Sequence, residues 1–402
     1  MNSTVFEVLF WVTAGLVVYT YAGYPVLLWV FARLIPHREA TPVEPLPRVT
    51  LIISAYNESA VIAEKLDNAL ALDFPRKQLE IIVISDSSND GTDEIVKGYF
   101  ERGVRLIRQP ERLGKSSGLN LGVPEATGEI VVFSDANAIF QPDAIHQLVQ
   151  HFSDPRVGYV VGNARYASHA GQAPSAESEG LYWKLETWLK QKESDFGSVV
   201  GGDGAIYAIR RELFTPLLPT DINDFLNPLQ IVAHGYLGVY EPNAVCFEEA
   251  GDSFDKEFRR KVRIISRSLN AVRRAPTVLL PWRQPRHWFA LISHKVLRWF
   301  APVFLLTLFL STLMLWNLPF FRGFLFSQIV FYAFAGIGWL VRGRARVPKA
   351  FCLPYYFCLV NLASLFGIIR CFQGALSPTW ETIRQQGLRK CDPAVSTIQR
   401  ES

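Results

Sequence analysis

Long uncharged runs lie near both ends of this 402-residue chain, and shorter apolar stretches alternate with polar ones through its middle. Val8–Ala32 holds no charged residue. A helix of that length, at about 1.5 Å per residue, would cross a hydrocarbon core of roughly 30 Å. Three further uncharged runs of spanning length follow the middle region: Trp299–Phe321, Gly323–Val341 and Ala350–Ile369. The pattern predicts one membrane anchor before the middle region and three membrane segments after it.

Basic residues beside these runs predict their orientation. The first run is preceded by Glu7 and followed by Arg33, His37 and Arg38, and Arg342–Lys349 separates the last two runs. Cytoplasmic loops are rich in Lys and Arg, so the N-terminus is expected outside and both basic segments in the cytosol. A retained anchor is favoured over a signal peptide, because a basic leading segment and a small-residue cleavage site are missing.

The C-terminal part leaves more than one arrangement open. Strict alternation places the tail after Arg370 outside, whereas Pro354 and Asn361 also suit a re-entrant segment. Before the second run, Arg286–Arg298 has apolar residues on one side. The opposite side carries His287, His294, Lys295 and Arg298. This distribution predicts an amphipathic helix in the membrane interface.

In the middle region, β-branched runs alternate with helical stretches. Strands are predicted at residues 49–54, 79–85, 104–108 and 129–134, and helices at 60–72, 92–100 and 116–126. This order is typical of parallel βαβ units and therefore of an α/β fold. The predicted organisation is an anchor and proline-rich linker (1–42), an α/β domain (43–280), an interface helix (281–298), three membrane segments (299–373) and a tail (374–402).

Polar clusters follow three of the predicted strands. They are Ser54–Glu58, Asp86–Thr92 and Asp135–Asn137. Each cluster alone could be an ordinary turn. Parallel sheets, however, bind ligands beyond the carboxyl ends of their strands, where all three clusters would meet. Gly114 and Lys115 at a helix start would add backbone donors and a cation, which suit a phosphate.

Charge and cysteine content narrow the possible functions. The net charge of +4 is too small to indicate a nucleic-acid partner, but it suits a surface beside anionic lipid. The five cysteines form no CxxC pair, so neither a zinc site nor a disulfide framework is predicted.

Together these stretches resemble family 2 glycosyltransferases of the GT-A fold, which are inverting enzymes that use nucleotide sugars. The resemblance covers about Val49–Arg274, with membrane helices placed as in the polysaccharide-synthase branch. It rests on the order and spacing of Ser54–Glu58, Asp86–Thr92, Gly114–Asn120, Ser134–Asn137, Gly201–Gly204 and Asp224 with the helix that follows it. The implied fold is a Rossmann-like nucleotide-sugar-binding domain with transmembrane helices at both ends.

The resemblance implies roles for the matching residues. The donor would be bound by Ser54, Tyr56, Glu58, Asp86, Lys115, Asp135, Asp203 and Lys261. Asp135 begins the stretch that is Asp-x-Asp in most of the family, where the last Asp ligates Mg²⁺ or Mn²⁺. Asn137 takes that place here. Because an amide oxygen can ligate a hard cation but lacks the charge, metal dependence is expected to be weaker.

The resemblance also implies the catalytic residues. Asp224 takes the place of the family's general base, although capping of the following helix is an alternative use of an Asp there. Arg260–Ile264 occurs where processive members have Gln-x-x-Arg-Trp. Arg263 matches the family Arg, and Ile264 replaces the Trp, which predicts transfer of one or few sugars per encounter. Gly201–Gly204 is interpreted either as a close approach to the donor sugar, with Asp203 on a hydroxyl, or as a plain hairpin turn.

The expected function is transfer of a sugar, from a donor expected to be a UDP-sugar, to a glycan or lipid-linked acceptor. It would serve cell-surface polysaccharide or glycolipid synthesis, from a multi-pass plasma-membrane protein with a cytosolic catalytic domain. One alternative is a processive polysaccharide synthase that also exports its polymer. A second is a non-enzymatic transporter or scaffold. The presence of Asp135 and Asp224, and the uncharged spans, argue against the second alternative.

Overall fold

One eight-stranded mixed sheet forms the centre of the middle region. The computed structural model describes residues 3–35, 44–167, 174–249, 254–342 and 348–376. The strands are β1 (Val49–Ala55), β2 (Leu79–Ser85), β3 (Val104–Arg108), β4 (Ile130–Asp135), β5 (Ile139–Phe140), β6 (Val157–Ala167), β7 (Tyr207–Arg210) and β8 (Leu237–Glu249). Their order is β3-β2-β1-β4-β7-β6-β8-β5. The first four strands in that order are parallel, as predicted, whereas β7 is antiparallel to both of its neighbours.

Helices cover the sheet and extend from it toward the membrane segments. In the middle region these are α3 (Ile62–Leu70), α4 (Thr92–Lys97), α5 (Lys115–Gly122), α6 (Ala144–Val149), α7 (Pro174–Phe196), α8 (Asn223–Ala233) and α9 (Phe254–Arg274). The three helices predicted at the start of the domain are shorter than expected. Gly98 ends α4, and α5 ends just before Val123, because the following Pro124 has no N–H to continue the helical hydrogen bonds.

Both faces of the parallel strands are buried, which explains their nearly continuous apolar sequence. In β1, Leu51 and Ile53 belong to the core beneath α3 and α6, whereas Ile52 faces the core beneath α5 and α8. All seven β1 residues are buried. The strand therefore ends on a rigid base, from which its following polar residues project.

Four helices are long and apolar enough to cross a membrane. They are Ser3–Arg33, Pro285–Met314, Pro319–Val341 and Lys349–Phe372. The first joins α1 (Ser3–Val18) and α2 (Tyr24–Arg33) through a π-turn, and the second joins α10 (Pro285–Ala290) and α11 (Leu297–Met314) in the same way. The others are α12 (Pro319–Val341) and α13 (Lys349–Phe372). Most of the Arg342–Lys349 loop, the start of the predicted linker and the tail from residue 377 lie outside the described residues.

The segment predicted as a separate interface helix differs in two ways. Residues 285–298 continue without a break into the second spanning helix. Their polar side is also not turned to water: His287 and His294 are buried, and His294 contacts Glu186 and Glu193 of α7. A charged face on the partner helix, which the sequence of this segment alone does not reveal, provides the reason.

Helix α13 packs lengthwise on α9. The contacts run from Phe254 with Tyr355, through Phe258 with Phe366 and Ile265 with Gly367, to Arg273 with Cys371. At the far ends of α1, α11 and α12, Phe10, Leu308, Leu315 and Phe321 form a separate apolar cluster. Among the described residues, no buried member of that cluster comes from α13. Helix α13 therefore ends beside the α/β domain rather than at the distal end of the other three.

Candidate active site

The loops after β1 and β2 are joined at one edge of the sheet. Backbone N–H groups of the first loop donate to side chains of the second: Asn57 to Ser88 Oγ (3.1 Å), Glu58 to Thr92 Oγ1 (2.9 Å) and Ser59 to Asp90 Oδ2 (3.0 Å). Asn57 and Ser87 have positive φ angles of 53° and 60°. Non-glycine residues in this conformation occur disproportionately at functional sites.

Asp86 shapes the entrance to α5. Its buried carboxylate accepts hydrogen bonds from Leu113 N (2.9 Å), Gly114 N (3.0 Å) and Gln109 Nε2 (2.6 Å). Burial raises the pKa of Asp86, and the two backbone N–H donors offset this only in part. The predicted donor-binding residue thus also fixes the turn that precedes Lys115.

Arg112 and Gln109 are site residues that the sequence reasoning missed. The guanidinium of Arg112 lies 3.9 Å from the centre of the Tyr56 ring, a cation–π contact beside the predicted nucleobase site. Gln109 directly follows β3 and donates to Asp86. The sequence indicated this role only through the position of Gln109, directly after a strand and at the edge of the sheet where ligands bind.

Three predicted residues converge on the backbone of Gly204. Lys115 Nζ lies 2.5 Å from Asp135 Oδ1 and donates to the Gly204 carbonyl at 3.2 Å. A methyl group on Gly204 would lie 3.1 Å from Asp224 Oδ2, 3.6 Å from Lys115 Nζ and 3.7 Å from Asp135 Oδ2. Residues up to 89 positions before Gly204 and 20 positions after it are thus gathered around one small space. The absence of a side chain at Gly204 keeps that space open.

Asp224 is the second residue of α8, not its N-cap, so the capping alternative is not realised. The backbone carbonyl of Asp224 accepts from Gly202 N at 2.5 Å. The Oδ1 atom of the Asp224 side chain is shielded from solvent and has no hydrogen-bond partner within the described ranges. Burial raises the pKa of Asp224. Lys115 opposes the rise, and Asp203 and Asp135 add to it.

Asp203 and Lys261 have protein partners of their own. Asp203 Oδ2 lies 3.0 Å from Lys190 Nζ on α7, and its Oδ1 accepts from Ala205 N at 3.3 Å. Lys261 Nζ lies 3.0 Å from Glu257, which also holds Arg260 at 2.7 Å. Burial works against ionisation of Glu257, but Lys261 and Arg260 lower its pKa to about 2.

Helix α9 directs two arginines toward Asp224. Arg263 and Arg267 are one turn apart and therefore share a helix face. Burial and the neighbouring Arg263 lower the pKa of Arg267 to about 10, and the charges of Asp224 and Asp221 partly restore it. Sequence reasoning named Arg263 and missed Arg267, although the helical spacing of the two indicates it.

Glu248, at the end of β8, is a further residue that the sequence reasoning missed. Burial, together with the charges of Asp135 and Asp203, raises the pKa of Glu248 to about 8. In the described part of the chain, no three His, Cys, Asp or Glu side chains are grouped so that they could hold a metal by themselves. Asp135 and Asn137 could supply only part of a cation's ligand shell.

Several known proteins are similar in sequence to part of this chain. Residues 50–217 match the family "Glycosyl transferase family 2". Poly-beta-1,6-N-acetyl-D-glucosamine synthase from Staphylococcus aureus (strain COL) is 29% identical over 230 residues, which are 55% of this chain and 54% of that protein. Probable glycosyltransferase YdaM from Bacillus subtilis (strain 168) is 28% identical over 254 residues, 58% of each chain. The matches thus span only about half the length of these relatives.

A solved structure confirms the fold predicted from the sequence. Mannosyltransferase PcManGT from Pyrobaculum calidifontis, in complex with GDP-Man and Mn²⁺, superposes with a TM-score of 0.69 at 24% identity. The superposition covers 91% of this chain and 99% of that one. The α/β domain therefore has the GT-A fold.

Proposed function

We propose that this chain is a membrane-bound inverting glycosyltransferase, because residues 50–217 match the family "Glycosyl transferase family 2". It moves a sugar from a nucleotide-sugar donor to a glycan or lipid-linked acceptor. The observation that carries the proposal is the gathering of Lys115, Asp135 and Asp224 around the open backbone of Gly204. A cation and two carboxylates at one point suit a reaction in which a diphosphate leaves while a hydroxyl loses its proton.

The proposed reaction is a direct displacement at the anomeric carbon. Asp224 takes the proton of the acceptor hydroxyl on its Oδ2 atom, which lies beside the open space at Gly204. The acceptor oxygen forms a bond to the anomeric carbon as the bond from that carbon to the phosphate oxygen breaks. The electron pair leaves with the diphosphate. Lys115 and Arg263 stabilise its charge, and an α-linked donor gives a β-linked product.

The residues fit a divalent cation, Mg²⁺ or Mn²⁺, held by Asp135 and Asn137 together with donor phosphates and water. Such cations take six or more oxygen ligands, and two from the protein leave room for phosphate. The Asp135 carboxylate borders the open space at Gly204, beside the proposed donor site, which supports this fit. When bound, the cation neutralises charge on the leaving diphosphate. The structural relative in complex with Mn²⁺ is consistent with this proposal.

We place the catalytic domain on the cytosolic face of the plasma membrane. The four apolar helices support membrane attachment. Orientation rests on Arg33, His37, Arg38 and the basic residues of the Arg342–Lys349 loop.

A second candidate function is processive polymer synthesis. The Staphylococcus aureus relative, which is named a synthase, favours it. Against it, Ile264 stands where the processive branch has a Trp. Loss of that aromatic ring removes a stacking surface for the growing chain. We therefore propose transfer of one or few sugars.

The decisive experiment is a panel of UDP- and GDP-sugars with the purified full-length chain, measuring release of nucleoside diphosphate. Release that depends on one donor, and is lost in Asp224→Asn, would support the proposal. No release from any donor, with a range of acceptors and both cations present, would contradict it. UDP-sugars are the donors we expect to be active.

A further inference from the structure

Helix α7 presents three charged side chains on one face. Glu186, Lys190 and Glu193 are spaced at i, i+4 and i+7, and all three are buried. Their partners lie in two places: the helices that enter the membrane, and the loop formed by residues 198–204. That loop leads to Gly204, so α7 lies between the membrane helices and the proposed donor site.

Glu193 contacts both places at once. Its Oε2 accepts from the Val200 N–H at 3.0 Å. Its Oε1 accepts from the Tyr24 hydroxyl at 2.8 Å and from His294 Nδ1 at 2.5 Å. Tyr24 belongs to the first membrane helix and His294 to the second. Glu193 itself is fully shielded from solvent, so each of these bonds is made in an environment where an unpaired group is costly.

The rest of the loop leads directly to the reacting groups. Lys190 holds Asp203 at 3.0 Å, so two side chains of α7 fix the loop on either side of its Gly201–Gly202 pair. Gly202 N donates to the Asp224 carbonyl at 2.5 Å, and Lys115 donates to the Gly204 carbonyl at 3.2 Å. Glycines have little conformational preference of their own, so their position depends on such anchors.

We propose that Glu193 is a positioning residue for sugar transfer: it holds the loop of residues 198–204 in place from the membrane side. Because Tyr24 and His294 orient the Glu193 carboxylate, docking of the membrane helices on α7 sets the position of the donor loop. This inference rests on the proposed function for its kinetic consequence, but not for the loop contact itself.

Glu186 provides a matched control. It is also a buried carboxylate of α7, and it also contacts His294, at 3.2 Å, together with Lys295 at 3.1 Å. It makes an ion pair with Arg298 as well. Among the described residues, these hydrogen-bond and ion-pair partners of Glu186 lie in the second membrane helix, not in the loop. Glu186→Gln removes a buried carboxylate from the same helix while the contacts of Glu193 with Tyr24, His294 and the Val200 N–H remain in place, so the loop should keep its anchor.

The first measurement is hydrogen exchange of the full-length chain in lipid nanodiscs, without donor. In Glu193→Ala, a peptide covering residues 198–204 should exchange about tenfold faster, since the Val200 N–H loses its acceptor. Glu193→Gln, which keeps an acceptor oxygen, should restore most of the protection, and Glu186→Gln should match wild type in this peptide. Unchanged exchange in Glu193→Ala would overturn the proposal, as would equal effects of the Glu193 and Glu186 variants.

The second measurement uses the active donor. Glu193→Ala should lower kcat/KM by about 10- to 100-fold through misplacement of the donor sugar, while the Kd of the free nucleoside diphosphate changes less than about twofold. A general loss of folded protein would instead lower the activity and the fraction of protein that binds nucleoside diphosphate in the same proportion, and would overturn the positioning role. If wild type turned over no nucleotide sugar, the proposed function would fail, whereas the exchange experiment would still decide the loop contact.

Discussion

Asp224 and Glu248 are carboxyl groups with raised pKa values, yet they lie differently in the site. Burial dominates in both, and Asp135 and Asp203 contribute to both. Of the two, Asp224 is the one that lies beside the space at Gly204. One oxygen of its side chain has no partner among the described residues. We therefore assign the proton transfer to Asp224 and give Glu248 no part in it.

Asp224→Asn should lower turnover by about 10²–10⁴-fold, because the amide cannot accept the acceptor's proton. Donor binding should stay close to wild type, since the change is isosteric. Calorimetry of the nucleoside diphosphate together with a turnover assay measures both quantities. A variant with near wild-type turnover rules out the assigned role.

Asp86→Ala should weaken binding of the nucleoside diphosphate and of every sugar nucleotide built on it. The substitution removes a proposed contact with the donor. It also leaves the Leu113 and Gly114 N–H groups, which precede Lys115, without their acceptor. A loss of about tenfold or more in Kd is expected. Calorimetry checks this, and an unchanged Kd would contradict the assignment.

Glu248→Gln should remove a pH-dependent loss of stability. The folded-state pKa of about 8 lies above the ordinary value of 4.5. The protonated form therefore favours folding, and its contribution is full below about pH 4.5 and is lost as the pH rises through about 8. Relative to the variant, wild type should lose up to about 4 kcal/mol of stability between pH 5 and 8.5, at about 1.4 kcal/mol per pKa unit. Thermal unfolding without cation or donor measures the difference, and parallel pH profiles would refute it.

At the scale of elements, the sequence predicted the parallel half of the sheet well and the remainder poorly. Strands β2 and β3 have the predicted bounds, because their β-branched runs end at clear turn residues. The strands after β4 were not predicted, since antiparallel pairing of β7 and the bulged pairing of β6 with β8 depend on partners distant in sequence.

The site was predictable where residues follow strands, and not where helices bring them in. Asp86 and Asp135 follow from position alone. Arg267 and Glu193 do not, because each acquires its role from an element packed against it. The same reason explains why Arg286–Arg298 was predicted to be an amphipathic helix in the membrane interface.

The loop of residues 198–204 offers a test of its own. Gly204→Ala should fold, because φ at Gly204 is not in the positive region, but its methyl group would lie 3.1 Å from Asp224 Oδ2. We expect at least a tenfold loss in kcat/KM, since small displacements of reacting groups are costly. Gly336→Ala, at a glycine with open space around it, is the control. Equal kinetics for both variants would contradict the crowding of the site.

For the whole molecule, product length separates the two candidate functions. With excess donor and limiting acceptor, we expect acceptors to be extended by one or few sugars, because Ile264 offers no aromatic face. A stacked aromatic contact contributes on the order of 1 kcal/mol, enough to change a dwell time several-fold. Chromatographic sizing of the product checks this. Long polymers formed while most acceptor remains unused would favour the processive synthase.

The packing of α13 on α9 suggests that this helix does not cross the bilayer. Helix α9 carries ten charged residues, which do not enter hydrocarbon, and α13 stays beside it up to Cys371. We therefore propose that the chain crosses the bilayer three times. With an odd number of crossings, its two ends emerge on opposite sides. The tail, predicted outside by strict alternation, is instead expected with the catalytic domain. Cys391 offers a simple test, because in intact cells of a variant with no other cysteine a membrane-impermeant maleimide should label it only after lysis.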